Sequence, residues 1–169
     1  MKQLMIIGTD TDVGKTYVSG LILKKLHENG KKAAYFKAAM SGNIRLSDGS
    51  LLPGDADFVK TTSGISQPLE DMCPYVYETA VSPHLAAQIE GNPIEWEKIQ
   101  ETYDTLCGTY DFVTVEGSGG ILCPLRHDET AAFSLADFVI SQHLSCLLVA
   151  DAGLGTLNHV GLTAAYLKS

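Results

Sequence analysis

The chain has 169 residues, 45% of them hydrophobic and 19% charged, the size and balance of one globular domain, residues 1–169, with a real core. Its 12 Lys plus Arg stand against 20 Asp plus Glu, a formal net charge of −8, which excludes the clustered basic face of a nucleic-acid-binding surface. No apolar run approaches the roughly 18 residues that span a bilayer, and the opening MKQLMIIG is too short for a signal-peptide core, so a cytoplasmic protein with no membrane segment is expected.

In chain order, QLMIIG (3–8) reads as a strand and GKTYVSGLILKKLHENG as a helix, with Val18, Leu21, Ile22 and Leu26 on one face and Asn29-Gly30 as its stop. AAYFKAA (33–39) is a second strand. MSGNIRLSDGSLLPGD has no periodicity and reads as a polar loop, followed by a short helix from Asp55. After an irregular piece around YVY, the run SPH places Ser82 as an N-cap and Pro83 as the first residue of a helix. A further helix is expected over 94–106. DFVTVEGSGG (111–120) reads as an apolar strand that breaks into a glycine turn after Glu116. A helix over 133–142, the strand SCLLVAD, the loop AGLGTLNH and a last helix complete the chain. Strands separated by helices predict parallel βαβ units, with ligands gathered at the carboxyl ends of the strands.

The loops at those ends carry the chemistry. GTDTDVGKT (8–16) joins a strand to a helix, as does a P-loop of the form GxxxxGK[ST], in which backbone N–H groups wrap phosphates, the lysine reaches the terminal phosphates and the hydroxyl meets Mg²⁺. Gly14, Lys15 and Thr16 fit that pattern. Gly8 lies one residue too early, and Thr9 stands at the usual first-glycine position. Mg²⁺ prefers oxygen ligands, and Glu116, at the end of an apolar strand, is a carboxylate whose burial needs a cation. In GDADF both Asp55 and Asp57 are available, as metal ligands or as helix caps. Lys37 ends an apolar run and should project into a cleft, where a second lysine suits the charge that develops in phosphoryl transfer. The five histidines form no HxxxH or HExxH pattern; His27 and His143 are read as solvated helix residues. Four scattered cysteines without a CxxC pair read as reduced thiols.

Taken together, GTDTDVGKT, FKAAMSG, GDAD, SPH, VEGSGG and DAGLGTLNH occur in the order and spacing of the dethiobiotin synthetases, and the chain resembles that family along essentially its whole length. The resemblance implies a three-layer, parallel-sheet α/β domain of the P-loop NTPase type, an ATP- and Mg²⁺-dependent ligase of biotin biosynthesis. Its substrates would be 7,8-diaminopelargonate, CO2 and ATP, and its intermediates a carbamate and a carbamic-phosphoric anhydride. Asp12, Val13, Gly14, Lys15, Thr16 and Tyr17 would surround the triphosphate, with Gly117, Ser118 and Gly119 bordering ATP. Lys37, Lys15 and Thr11 would act at the reacting centre. Thr16, Asp55 and Glu116 would hold the metal, Asp55 being selected over Asp57 by the family motif. Ser41 and Lys37 would meet the diamine. The family is similar to a homodimer with its diamine pocket at the interface, where Asn158 would reach the partner's substrate carboxylate. Two departures stand out: Ala38 follows Lys37 where family members have proline, and after AAYLKS the family continues with another strand and its adenine-holding residues, so a fold truncated at its C-terminus is expected. A P-loop switch ATPase or a catalytically silent nucleotide-binding relative are the alternatives. The switch ATPases carry a second lysine near the start of the loop, where this chain has Thr9, Asp10 and Thr11.

Overall fold

The computed structural model describes residues 2–169. In chain order, β1 (Lys2–Gly8) leads into α1 (Lys15–Glu28) and β2 (Ala33–Phe36), then β3 (Ile44–Arg45), β4 (Leu51–Leu52) and α2 (Gly54–Ser63). There follow α3 (Pro83–Ile89), α4 (Trp96–Thr109) and β5 (Phe112–Gly120). Then come β6 (Pro124–His127), β7 (Ala132–Ser134), α5 (Leu135–Ser141), β8 (Cys146–Val149) and α6 (Thr156–Lys168). The main sheet has four parallel strands in the order β2-β5-β1-β8.

Strand alternation makes the layers. In β2, Ala34 and Phe36 join one core with Met5, Ile7, Val113 and Val115 of the sheet, Ile99, Tyr103 and Leu106 of α4, and Phe138 of α5. The residues between them, Ala33 and Tyr35, face the opposite side and pack with Leu23 of α1 and Ala56 and Val59 of α2. Successive side chains of a strand point to opposite faces, so a buried parallel sheet needs apolar residues at nearly every position, as AAYF supplies. The result is the expected three-layer α/β arrangement.

Several local expectations are corrected. The segment after Met40 contains the antiparallel hairpin β3–β4, paired Ile44 to Leu52 and Arg45 to Leu51. Strand β5 does not break after Glu116; it runs through Gly120, because pairing with β1 overrides the weak strand preference of its glycines. The hairpin β6–β7 was hidden in PLRHDETAAFS, whose turn is closed by Asp128 accepting from the backbone N–H groups of Thr130 and Ala131. Helix α4 begins at Trp96 and extends to Thr109. His143 lies past the end of α5 with φ 50, outside the helix assigned to it. Helix α6 starts at Thr156, so Asn158 sits in its first turn and not in a loop.

Helix α1 is also rotated from expectation. Its buried side runs through Lys15, Ser19, Gly20 and Leu23, whereas Leu21 is 43% exposed. Gly20 lets α2 come close: a Cβ there would stand 3.2 Å from Thr62 Cγ2. Among the described residues no helix is long and apolar enough to cross a membrane, and all four cysteines are free.

Candidate functional site

The carboxyl ends of β1, β2 and β5 converge on a cleft of about 660 Å³. The loop after β1 and the start of α1 contribute Thr11, Asp12, Gly14, Lys15, Thr16 and Tyr17 to its lining. The segment after β2 contributes Lys37, Met40 and Ser41; α2 contributes Asp55; and β5 contributes Glu116, Ser118 and Gly119. Ala80 to Pro83 and Cys123 complete it.

The loop geometry follows from its glycines. Gly8 has no room for a side chain, since a Cβ would meet Asp10 O at 2.6 Å, Lys15 Nζ at 2.8 Å and Val13 Cγ2 at 2.9 Å. Gly14 has φ 98 and forms the left-handed N-cap of α1, with no side-chain cap bond to occupy the first free N–H groups of the helix. Those groups and the positive helix end form an anion cradle. Lys15 folds back over it, donating from Nζ to the Asp10 carbonyl at 2.7 Å. Burial, and after it the nearby positive charge of Lys37, pushes the Lys15 pKa down, against the opposing pull of Glu116, Asp55 and Asp12.

Beside the cradle lies a charged cluster. Lys37 Nζ donates to Asp55 Oδ2 at 2.6 Å and to Glu116 Oε1 at 2.9 Å. Thr16 Oγ1 lies 2.8 Å from Glu116 Oε1 and 3.3 Å from Asp55 Oδ1. Burial by itself lowers the Lys37 pKa, but Glu116 and Asp55 outweigh it and hold the ammonium above the ordinary lysine value. A buried lysine between two carboxylates stays charged because each partner compensates its desolvation.

The donor set suits a magnesium ion. Thr16 Oγ1 and the carboxylates of Asp55 and Glu116 are hard oxygen donors, and the two carboxylates already converge on a positive group, the Lys37 ammonium. Among the described residues no group of three or more His, Cys, Asp or Glu gathers for an ion. One hydroxyl and two carboxylates match the way Mg²⁺ is held, with substrate phosphates and water filling its other positions.

Twelve of the expected site residues, Thr11, Asp12, Gly14, Lys15, Thr16, Tyr17, Lys37, Ser41, Asp55, Glu116, Ser118 and Gly119, line this cleft. Three do not. Val13 lies off the lining, packed toward Gly8. Gly117 is buried, and a Cβ there would stand 2.4 Å from Leu135 Cδ2 and 3.1 Å from Met5 Cε, so its small size serves the packing of β5 on the core. Asn158 is exposed in α6, away from the cleft. Asp57 lies off the lining, while Asp55 is at the cluster.

Sequence reasoning missed Ser19 and Tyr35, which bond Glu116 Oε2 at 2.9 and 3.0 Å. A signal existed for both: Ser19 lies one helical turn after Lys15, and Tyr35 shares strand parity with Lys37.

A family model described as "AAA domain" matches residues 2–169. The ATP-dependent dethiobiotin synthetase BioD of Clostridium novyi (strain NT) is 48% identical over 166 residues, covering 98% of this chain and 69% of that protein. Proteins of the same name from Clostridium kluyveri and Clostridium perfringens (strain 13 / Type A) are 44% and 45% identical over 168 residues, 99% of this chain and 69% and 73% of theirs. The kinase domain of the Escherichia coli tyrosine kinase ETK superposes with a TM-score of 0.47 at 17% identity, covering 99% of this chain and 62% of that one. At 44–48% identity over nearly its whole length, this chain belongs to the ATP-dependent dethiobiotin synthetase family.

Proposed function

We propose that the chain catalyses the ATP-dependent dethiobiotin synthetase reaction, with the cluster Lys15, Thr16, Lys37, Asp55 and Glu116 as its phosphoryl-transfer centre. In that reaction one amine of 7,8-diaminopelargonate takes up CO2 to form a carbamate. A carbamate oxygen attacks the γ-phosphorus of ATP and ADP leaves, giving the mixed carbamic-phosphoric anhydride. The neighbouring amine then attacks the carbonyl, the ureido ring closes and phosphate is released.

The observation that carries this reading is the placement of two lysines at one cleft. Lys15 lies on the anion cradle and Lys37 is held between two carboxylates. Lys15 would bind the ground-state phosphates together with the N–H groups at the start of α1. Lys37 has three N–H donors, two of them directed at Asp55 and Glu116. Its third would meet the carbamate and the transferring phosphoryl group, where negative charge accumulates. Thr11 and Ser41 line the same cleft and would orient the reacting group and the diamine. Thr16, Asp55 and Glu116 would hold magnesium, which would offset the negative charge of the phosphates.

The diamine pocket would be completed by a second copy of the chain. Asn158, at the start of α6 and exposed, would reach the partner's substrate carboxylate near a helix N-terminus, where carboxylates are favoured. The protein would work in the cytoplasm as one domain, without nucleic acid or membrane partners. The test is incorporation of labelled bicarbonate into dethiobiotin with saturating Mg·ATP and diamine: labelled product is expected, and its absence overturns the reading.

A further inference from the structure

A carboxylate has two oxygens, and in Glu116 they face two different environments. Oε1 looks into the cleft, 2.8 Å from Thr16 Oγ1 and 2.9 Å from Lys37 Nζ. Oε2 looks away from it, accepting from Ser19 Oγ at 2.9 Å and from the Tyr35 hydroxyl at 3.0 Å. Ser19 and Tyr35 are both fully buried, and Glu116 is 1% exposed, so bulk water does not reach these contacts.

Tyr35 is itself held. Its strand, β2, is an edge of the main sheet, and at Tyr35 the free side of that edge is covered by the amide of Gln67. Gln67 Oε1 accepts from Tyr35 N at 2.7 Å and Gln67 Nε2 donates to Tyr35 O at 3.0 Å, the two bonds a neighbouring strand would make. A phenol keeps its proton at neutral pH, so the hydroxyl, 3.0 Å from a carboxylate oxygen that can only accept, is the donor of this bond. Ser19 Oγ lies 2.9 Å from both Lys15 O and Glu116 Oε2, and its single proton serves one of them at a time. Tyr35 is therefore the constant donor and Ser19 the shared one.

We propose that Tyr35 and Ser19 are positioning residues that hold Glu116 Oε2 from behind and so fix the rotation of the carboxylate, keeping Oε1 presented to Thr16, Lys37 and the metal. The proposal rests on the reading of Glu116 as a metal-holding residue given above. Partners that orient a ligating carboxylate through its second oxygen change metal affinity when removed, although they never touch the ion. With Phe at position 35, Oε2 loses its constant donor in a site closed to water, and the carboxylate turns to share the donors on the cleft side.

The test uses the full chain and Mn²⁺ as a spectroscopic substitute for Mg²⁺. Tyr35→Phe, Ser19→Ala, Glu116→Gln and the double variant Tyr35→Phe/Glu116→Gln are compared by the paramagnetic resonance of free Mn²⁺ titrated in the presence of ATP. ATP affinity in chelator and thermal melting are measured alongside. Tyr35→Phe is expected to weaken Mn²⁺ binding about tenfold and Ser19→Ala by less, with metal-free ATP affinity unchanged. Adding Tyr35→Phe to Glu116→Gln should produce no further loss, because the hydroxyl acts only through that carboxylate. If Glu116→Gln weakens Mn²⁺ binding while Tyr35→Phe and Ser19→Ala do not, or if the two effects simply add, the clamp is wrong and the role of Glu116 stands. If Glu116→Gln itself leaves Mn²⁺ binding unchanged, the reading of Glu116 falls and the clamp with it. Ser19→Ala removes a single hydroxyl and decides the question alone should Tyr35→Phe fail to fold; a lower melting temperature with Mn²⁺ affinity intact counts against the proposal.

Discussion

The chain makes the same local structure twice with opposite outcomes. After β1 and after β8 a glycine-containing loop leads to a helix whose N-cap is a left-handed glycine, Gly14 at φ 98 and Gly155 at φ 90, and neither cap has a side-chain bond. At α1 the helix start meets Lys15, Thr16, Lys37, Asp55 and Glu116 within one cleft. At α6 no residue of the helix is buried, and Leu154, Leu157 and Leu162 stand exposed, as does Leu147 of the neighbouring strand. A strand, a glycine and a helix start thus do not by themselves gather a charged cluster. What separates the two is what the neighbouring strands bring: β5, next to β1, carries Glu116, and β2, next to β5, leads to Lys37, so both side chains reach the start of α1.

Substitutions can break this comparison. The largest effect is expected from Lys37→Ala, which should lower kcat by about 10²–10³-fold while ATP affinity changes little, measured by labelled bicarbonate incorporation beside equilibrium nucleotide binding. Unchanged turnover would remove Lys37 from the chemistry. Lys15→Ala should weaken ATP binding roughly tenfold or more and lower turnover with it, because a charged donor is lost from the ground-state phosphates.

Gly14→Ala and Gly155→Ala address the two loops directly. Each forces an alanine into left-handed backbone with nothing within 4 Å of its Cβ, so each should lose about 1–2 kcal/mol of stability from backbone strain alone. Only Gly14→Ala should also weaken ATP binding; equal losses of affinity in both variants would mean that the second loop binds nucleotide too.

A smaller effect is expected from pH. ATP prefers the protonated Lys15, so its affinity should fall as pH rises through a value below the ordinary 10.5, and Lys15→Ala should flatten that fall. For the empty protein the sign is opposite. Between the lowered folded value and the ordinary one the unfolded chain binds more protons, so the penalty of burying this charge relaxes as pH rises. Smallest of all, Asn158→Ala should shift the melting of the isolated chain by no more than about 0.5 kcal/mol, since the side chain is exposed, while diamine affinity falls if the partner's substrate reaches it.

The extra residue in GTDTDVGKT shows how far the sequence could be read. The motif pointed to a phosphate loop with one residue too many between its two glycines, Gly8 and Gly14. In the structure Thr9 N donates to Val149 O at 3.0 Å, so the additional residue prolongs the pairing of β1 with β8 and the loop begins after it. A similar limit applies at VEGSGG, where glycines suggested a turn and the sheet made a strand. Gly117, which the resemblance implied would border ATP, also packs where a Cβ would meet Leu135 Cδ2, a contact the sequence did not announce.

By itself the sequence determined the layered parallel fold, through apolar runs alternating with helical periods, and most of the side chains that meet in the cleft, through lysines, carboxylates and a glycine loop at strand ends. These signals are local, set by residue type and spacing within one element. Only the tertiary structure decided that α1 buries Ser19 and not Leu21, and that Tyr35 stands behind Glu116. Each of those outcomes depends on the rotation of one element against another. Contacts between residues 81 and 97 positions apart, as for Tyr35 and Ser19 with Glu116, leave no periodic trace in either segment alone.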